Sequence, residues 1–236
     1  MSTGVSVLQS WSEVGEAIYF LGERGYRLHH NPLKSWDLRL ISEMVQDLGR
    51  TELVVDLGAA VLGAVRLLHE MGFQRIVGYD LEFSIFDRVL QFRDWLGDVN
   101  RARRPTRLPY RLSRRDLLAT SLPDASVSAA VCLSVIEHGV DLARFFGELA
   151  RILRPAGRLF VSTDYWEPKL DTQGRKMFGL PWTVFCGRDI ESMIETARKV
   201  GLLVDQWVPE DLRCREAVVR DGDHAYTFAA IRFRRT

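Results

Sequence analysis

Cysteine, proline and long apolar runs are all scarce in this sequence, and each scarcity excludes a class of protein. The three cysteines, at positions 132, 186 and 214, form no Cys-x-x-Cys pair, which argues against a disulfide framework and a structural zinc site. Eight prolines and a hydrophobic content of 47% exclude collagen-like and disordered chains. No uncharged apolar stretch approaches the roughly 18 residues of a transmembrane helix, and Met1–Gly4 do not begin a secretory signal. We therefore expect a cytoplasmic protein with no membrane partner.

An excess of charge of one sign is also lacking. The 32 Lys and Arg residues nearly balance the 31 Asp and Glu residues, so the formal net charge is +1 and no overall field attracts nucleic acid. Arginines do cluster locally, at positions 101, 103, 104, 107, 111, 114 and 115. Because only Tyr110 interrupts this cluster as an aromatic, it is more typical of a solvated surface, and we disfavour a nucleic-acid partner. No pattern determines the oligomeric state.

Short apolar runs alternate with stretches of helical periodicity along the chain. The predicted strands are 53–57, 75–80, 110–112, 127–135, 158–163, 202–207 and 226–233. This alternation predicts an α/β fold, a doubly wound and mostly parallel sheet of seven strands with helices on both faces. Because no helix separates the last two strands, the last one is predicted to be antiparallel, with Asp221–Asp223 supplying a turn.

We expect a single domain over residues 1–236. Its parts are an N-terminal helical cap (1–50), a core (51–163), an insertion on the substrate side (164–187), and a C-terminal helix and strand pair (188–236).

Polar residues follow four of the predicted strands at the point where each strand ends. They are Asp56 with Gly58, Asp80, Asp116, and Glu137 with His138. Such acids can simply cap the next helix, but a series in strand order favours a ligand site at the carboxyl edge of the sheet.

The glycines of the first loop restrict the choice of ligand. The stretch from Gly58 to Gly63 does not fit the Gly-x-Gly-x-x-Gly pattern of dinucleotide sites, because Ala60 occupies the second glycine position. Asp80 follows Asp56 by 24 residues, which suits hydrogen bonds to ribose hydroxyls. A nucleoside without a pyrophosphate therefore fits better than NAD.

Five segments together resemble the class I S-adenosylmethionine-dependent methyltransferases, which have a Rossmann-like fold. Residues 54–58 resemble the first motif of that family and residues 77–81 the second. The adenine-side motif resembles residues 115–117 and 122–124, and the fourth motif and its following region resemble 132–138 and 148–157. The resemblance covers roughly residues 50–165 and implies S-adenosylmethionine as the cofactor.

The resemblance also implies roles for individual residues. Asp80 would accept hydrogen bonds from the ribose hydroxyls, Asp116 would bind the adenine amino group, and Asp56 with Gly58 would line the methionine portion. The full set of cofactor-binding residues that we predict is Asp56, Gly58, Gly63, Asp80, Leu81, Asp116, Leu117 and Ser134. The family has glycine where this chain has Ala60, and often at Leu62, so we expect Gly63 to compensate through a shifted turn.

The acceptor side is less strongly indicated. Glu137, Tyr165, Trp166 and Trp182 are our predicted substrate residues, and His138 is the predicted catalytic base. The aromatic residues could instead pack the insertion against the sheet, and His138 could serve only to shape its loop. The histidines form no ligand cluster, so no metal site is predicted.

These observations predict an enzyme that transfers a methyl group from S-adenosylmethionine to an oxygen or nitrogen atom of a small molecule. Residues 34–37 and 164–166 are similar in layout to bacterial members that act on glycan precursors or secondary metabolites. Two alternatives stay open: a degenerate, non-catalytic member that acts as a binding partner, to which Ala60 and Leu62 point, and an NAD-dependent oxidoreductase.

Overall fold

The computed structural model describes residues 4–100 and 108–236. The strands in these ranges are β1 (Val5–Val7), β2 (Leu53–Leu57), β3 (Arg75–Asp80), β4 (Arg111–Arg114), β5 (Val127–Leu133), β6 (Leu153–Tyr165), β7 (Lys176–Met177), β8 (Leu180–Pro181), β9 (Leu202–Val204), β10 (Val219–Asp221) and β11 (His224–Arg235). The helices are α1 (Trp11–Glu23), α2 (Ser35–Val45), α3 (Gly63–Glu70), α4 (Ile85–Asn100), α5 (Leu142–Ile152) and α6 (Gly187–Arg198).

Within the described ranges, nine of these strands form one sheet. Seven of them follow the order β1-β11-β6-β5-β2-β3-β4, and β9 and β10 pair with further parts of β11. The strands from β6 to β4 are parallel, whereas β11 is antiparallel to each of its partners. The central strand β2 is buried along its whole length, as expected of a parallel strand that is covered on both faces.

Helices cover both faces of this sheet. Helices α1, α2 and α3 pack with the alternate side chains of β2 and β5 in one apolar cluster. Helices α5 and α6 contribute to the second cluster on the other face. In α5, Phe145, Phe146, Leu149 and Ile152 are buried because they lie on one side of the helix. The predicted doubly wound α/β fold is confirmed.

The strand count differs from the prediction. All seven predicted strands are present, and the last is antiparallel, but β1 and β10 join the sheet as well. The segment 1–50, expected to be purely helical, therefore contributes a three-residue strand to the sheet edge. The predicted turn closes a hairpin between β10 and β11, with Asp221 opposite His224. Among the described residues, no helix is long and apolar enough to cross a membrane.

Candidate functional site

The winding of the chain reverses at β2. From this strand the sheet continues to β3 and β4 on one side and to β5 and β6 on the other. Ligands of open α/β sheets bind outside the carboxyl ends of the strands at such a switch point. The segments that follow β2, β3 and β5 therefore form the floor of the candidate site.

Gly58 follows β2 in a conformation that requires glycine. Its φ is +87°, and a Cβ atom there would lie 2.2 Å from Cγ2 of Val135. Its N–H donates a hydrogen bond of 2.8 Å to the carbonyl oxygen of Tyr79. The loop after β5, which carries Val135, thus packs directly against the loop after β2.

The next residues depart from the expected glycine-rich turn. Val61 and Leu62 have φ values of +70° and +61°, a left-handed conformation that is uncommon for bulky side chains. Gly63 has a helical φ of −56°, so the predicted compensation by a shifted glycine turn is wrong. A Cβ atom on Gly63 would lie 2.2 Å from the ring of His29. Gly63 therefore permits close packing of His29 and does not form the turn.

Two carboxylates hold this loop from outside. Asp80 Oδ2 accepts a hydrogen bond of 2.9 Å from the Ala60 N–H, and Asp87 Oδ1 accepts one of 3.0 Å from the Val61 N–H. Asp80 also accepts from the N–H of Glu82 through its other oxygen. Its carboxylate is half-buried and stands at the end of β3, where a ligand beside the loop would meet it.

The other residues predicted to bind the cofactor nucleoside follow β3 and β4, at the same edge of the sheet as Asp80. Leu81 is exposed directly after β3. Asp116 is exposed after β4, and its Oδ1 accepts a hydrogen bond from the Leu118 N–H. Leu117 is partly buried against the second apolar cluster.

Asp56 carries a polar atom that the protein itself does not use. The residue is 2% exposed, and within the described ranges its Oδ1 has no hydrogen-bond partner. Burial, reinforced by the charge of Asp80, raises the pKa of the Asp56 carboxyl to about 7. A buried acceptor without a partner carries a free-energy cost, which a ligand bringing a donor or a positive charge would relieve.

A cluster of polar residues lies beside the loop after β2, at the carboxyl ends of β5 and β6. The buried Lys34, which precedes α2, donates a hydrogen bond to the hydroxyl of Ser134. Its Nζ lies 3.7 Å from Oδ2 of Asp37 and 3.3 Å from the ring centroid of Phe228. Lys34 is thus a buried cation that joins the N-terminal segment to the edge of the sheet.

Two further carboxylates, Glu137 and Asp164, belong to this cluster. Burial, together with the charge of Asp164, raises the pKa of the Glu137 carboxyl, and Lys34 opposes the increase. The pKa of Asp164 is likewise raised by burial and opposed by Lys34. Oε2 of the 1%-exposed Glu137 has no hydrogen-bond partner in the part of the chain that the structure describes. The cluster therefore holds more acid than its single lysine can neutralise.

His138 lies at the rim of the same cluster. Its half-buried ring contacts Phe178 edge-on at a centroid distance of 5.7 Å. Burial lowers its pKa, although Asp164 opposes this decrease, so the neutral form that could accept a proton is favoured. No group in the described ranges hydrogen-bonds to its Nδ1.

Comparison with known proteins identifies the domain that contains the loops of the candidate site. The family described as "Methyltransferase domain" matches residues 55–161, which contain the loops after β2, β3, β4 and β5. Residues 55–161 therefore form a methyltransferase domain of the kind predicted from the sequence. S-adenosylmethionine is the cofactor of this family, and the Rossmann-like fold and the cofactor predicted from the sequence are both confirmed.

Similar proteins match a short segment of the chain. Probable S-adenosylmethionine-dependent methyltransferases from Mycobacterium tuberculosis and Mycolicibacterium smegmatis are 54% and 50% identical over 48 residues. That segment is 20% of this chain, which thereby spans only 18–19% of those relatives' length.

The solved structures resemble this methyltransferase over most of its length. The geranyl diphosphate C-methyltransferase of Streptomyces coelicolor has a TM-score of 0.62 at 17% identity, covering 86% of this chain and 78% of its own. A methyltransferase from Mesorhizobium loti has a TM-score of 0.54 at 18% identity, covering 86% and 98%. The (4+2)-cyclase SpnF has a TM-score of 0.58 at 15% identity, covering 98% of each chain. At these identities the likeness concerns the fold alone.

The residues of this methyltransferase fit its cofactor. S-adenosylmethionine bears an ammonium group and a sulfonium, and the unpartnered Oδ1 of Asp56 is an acceptor of the kind such cations need. Gly58 lets the loop after β5 pack against the loop after β2, and the half-buried carboxylate of Asp80 is accessible for hydroxyl groups. The fit rests on the chemistry of these donors and acceptors.

Two of the predicted substrate residues lie in the core. Tyr165 is 1% exposed and its hydroxyl donates a 2.6 Å hydrogen bond to the carbonyl oxygen of Leu212, so the expectation that it contacts the acceptor is wrong. Trp182 is 2% exposed and packs edge-on against Tyr226. Its Nε1 donates a 2.7 Å hydrogen bond to Asp164. Trp182 therefore holds a member of the acidic cluster and does not present an exposed surface to an acceptor. Trp166 is partly buried against the core.

Sequence reasoning did not assign Lys34, Asp37 or Asp164 to the site. It noted their segments only for a likeness in layout. One signal was available, since α2 buries Asp37 on the same side as Leu38 and Ile41, and a buried charge requires a partner. Lys34 lies only three residues before Asp37, but Ser134, which accepts the hydrogen bond of Lys34, is 100 residues away along the chain.

Other features do not add to this site. No group of three or more metal-ligating side chains occurs among the described residues. Arginines 101, 103, 104 and 107 of the predicted basic cluster lie outside the described residues. A groove of about 1050 Å³ opens along β1 and α2, and none of the predicted site residues line it.

Proposed function

We propose that this chain transfers a methyl group from S-adenosylmethionine to an oxygen or nitrogen atom of a small molecule, a glycan precursor or a secondary metabolite. One observation carries the proposal: Val135, which stands between Ser134 and Glu137, packs on Gly58. The candidate cofactor loop and the buried acidic cluster therefore meet at one edge of the sheet. We further propose that residues 1–236 act as one domain, divided as predicted from the sequence.

Each side chain has a specific task in this proposal. Asp80 accepts hydrogen bonds from the ribose hydroxyls and Asp116 binds the adenine amino group, with Leu81 and Leu117 beside them. Asp56 and Gly58 line the methionine portion. The cofactor supplies an electrophilic methyl group, so the protein has to align the acceptor, exclude water and remove a proton where the acceptor carries one.

Glu137 and His138 are the residues that we propose for proton removal. Glu137 presents an unpartnered oxygen, and Lys34 favours its ionised form. His138 is held in its neutral form by burial. A hydroxyl or ammonium acceptor must lose a proton during methyl transfer, which this pair could accept.

Cofactor binding can be tested with two matched variants. Asp80→Ala and Asp87→Ala each remove a carboxylate that holds the loop at 60–61, but only Asp80 is proposed to touch the ribose. Titration calorimetry should show that Asp80→Ala weakens binding of S-adenosylhomocysteine by about 1.5–3 kcal/mol, while Asp87→Ala has a smaller effect. Equal losses would assign the effect to the loop and remove Asp80 from the site.

Methyl transfer needs a separate experiment because the acceptor is unidentified. The protein should be incubated with methyl-labelled S-adenosylmethionine and panels of sugars, hydroxylated aromatic compounds and amines. Label that appears in a small molecule with wild-type protein, and disappears with Glu137→Gln, supports transfer to an oxygen or nitrogen. Label on carbon, as the name of the geranyl diphosphate C-methyltransferase implies for that protein, would contradict the choice of acceptor atom.

A non-catalytic member is the second candidate, and one observation favours it. The left-handed Val61 and Leu62 make the cofactor loop unlike a glycine-rich turn. Binding of S-adenosylhomocysteine without label transfer to any acceptor would favour this function. Binding of NAD in place of S-adenosylhomocysteine would instead favour an oxidoreductase.

A further inference from the structure

Helix α4 has the reverse of the usual arrangement of polar and apolar side chains. Its buried residues include three aspartates, Asp87, Asp94 and Asp98. A helix on the surface of a globular protein normally buries its apolar side and exposes its charged side. The exposed side of α4 instead carries Ile85, Phe86, Val89, Phe92, Leu96 and Val99.

The exposed residues form a continuous stripe. Ile85, Val89, Phe92, Leu96 and Val99 follow one another at steps of four and three residues, so at about 100° per residue they fall within about 80° of one another. Ile85 is 85% exposed and Phe92 is 54% exposed. We call these five residues the α4 stripe. Isolated exposed apolar residues are ordinary, but a contiguous stripe marks a surface that meets a partner.

The three acids of the helix are used inside the protein. Asp94 pairs with Arg27 and Arg66, and Asp98 pairs with His69 at 3.1 Å. Asp87 accepts hydrogen bonds from Ser84 and from the N–H of Val61. The helix is therefore anchored through its polar side, and its apolar side is exposed in the part of the chain that the structure describes.

The charges beside the stripe are of one sign. Throughout α4, all of which the structure describes, the exposed charged side chains are Arg88 and Arg93. On the helix they flank the stripe, one on each side. The nearest exposed acid along the chain, Glu82, precedes the helix. Trp95 extends the apolar surface by stacking on Phe92 at 5.5 Å.

We propose that the α4 stripe binds the surface of an anionic lipid bilayer, with the helix lying in the plane of the membrane. Bulky apolar and aromatic residues flanked by arginines are the pattern of interfacial helices, and the 16-residue helix provides a straight contact of about 24 Å. The lipid headgroups would supply the negative charge that, among the described residues, no ion pair provides for Arg88 and Arg93. The expectation of no membrane partner rested on spanning segments and net charge, and neither of these tests a surface helix.

Charge also decides against a second copy of this chain as the occupant. The spacing of the stripe would suit a coiled-coil seam, in which the flanking positions determine pairing. Because arginine flanks the stripe on both sides, pairing two α4 helices in either direction would place arginines beside arginines. An anionic surface meets the same two side chains favourably.

Vesicle flotation with the full chain tests the proposal. Vesicles of phosphatidylcholine and phosphatidylglycerol in equal parts should bind the wild-type protein, and pure phosphatidylcholine vesicles should bind it much more weakly. Val89→Ser with Phe92→Ser should reduce binding at least about tenfold. Arg88→Gln with Arg93→Gln should reduce it about fivefold per arginine, and added salt should weaken binding of the wild type.

Two matched variants control for changes elsewhere on the surface. Tyr19→Ser removes a 69%-exposed aromatic residue of α1, and Arg198→Gln removes an exposed arginine of α6, which packs on the other face of the sheet. Both should bind the anionic vesicles as the wild type does. Each variant should have the same melting temperature as the wild type, both without and with S-adenosylhomocysteine. This result would show that the variant is folded.

Three results would overturn the proposal. The first is no preference for anionic vesicles, or no binding to either kind. The second is unchanged binding of the α4 variants. The third is a wild-type dimer in sedimentation velocity that dissociates on Phe92→Ser, which would assign the stripe to self-association.

Discussion

Two glycines with nearly the same φ allow the packing at the proposed cofactor loop to be measured. Gly58 and Gly72 have φ values of +87° and +90°, and a Cβ atom at Gly72 would meet nothing within 4 Å. Gly72→Ala therefore tests the backbone alone and should cost about 1–2 kcal/mol. At Gly58 the new Cβ would lie 2.2 Å from Val135, and overpacking adds about 1–3 kcal/mol. Gly58→Ala should thus cost about 2–5 kcal/mol.

Urea unfolding of both variants measures these costs, and titration with S-adenosylhomocysteine measures the consequence for binding. The affinity should fall for Gly58→Ala and stay unchanged for Gly72→Ala. Combining Gly58→Ala with Val135→Ala should restore about 1–3 kcal/mol relative to the sum of the single variants, because the clash is then removed. If Gly58→Ala costs no more than Gly72→Ala, the loops after β2 and β5 do not pack as described.

Three further predictions concern buried groups. The folded-state pKa of Asp56 is raised to about 7, so its neutral form stabilises the native state at low pH. This contribution to stability is lost as pH rises from about 4 to 7. Asp56→Asn should therefore flatten the pH dependence of the free energy of unfolding in that window. Lys34→Met leaves the carboxylates without their cation and should lower the free energy of unfolding by about 3–5 kcal/mol near pH 8. The loss should be smaller near pH 5, because the carboxyls with raised pKa values hold protons there. Equal losses in urea unfolding at both pH values would contradict this. Trp182→Ala should destabilise the fold by about 3–5 kcal/mol and the partly buried Trp166→Ala by clearly less, again measured by urea unfolding.

The sheet was predictable because its central strands have a characteristic sequence pattern. A parallel strand covered on both faces must be apolar throughout, and 53–57 and 127–133 meet that requirement. Gly58 was predictable for a related reason, since a loop that approaches a ligand closely has little room for a side chain. Strands β1 and β10 were missed because three residues are too few to show a period.

The parts of the site that the sequence did not reveal depend on long-range packing. Nothing local signals that Val61 and Leu62 adopt positive φ values. The loop is held by hydrogen bonds that the N–H groups of Ala60 and Val61 donate to the distant Asp80 and Asp87. The side of α4 that is buried could not be predicted from the sequence either. Its pattern has a helical period, but only the partners of Asp94 show that the polar side is the buried one.

The buried cluster gives the N-terminal segment a role in the proposed site. Lys34 is supplied by that segment, whereas Ser134, Glu137 and Asp164 belong to the sheet edge. Buried carboxylates without a counter-charge would have to take up protons, and a protonated Glu137 could not accept one from an acceptor. Docking of the segment that precedes α2 therefore favours the ionised form of the proposed base, against the burial that raises its pKa. Lys34 also lies 3.3 Å from the ring centroid of Phe228 in the core, so the packing of the N-terminal segment and the chemistry of the proposed acceptor site share one lysine.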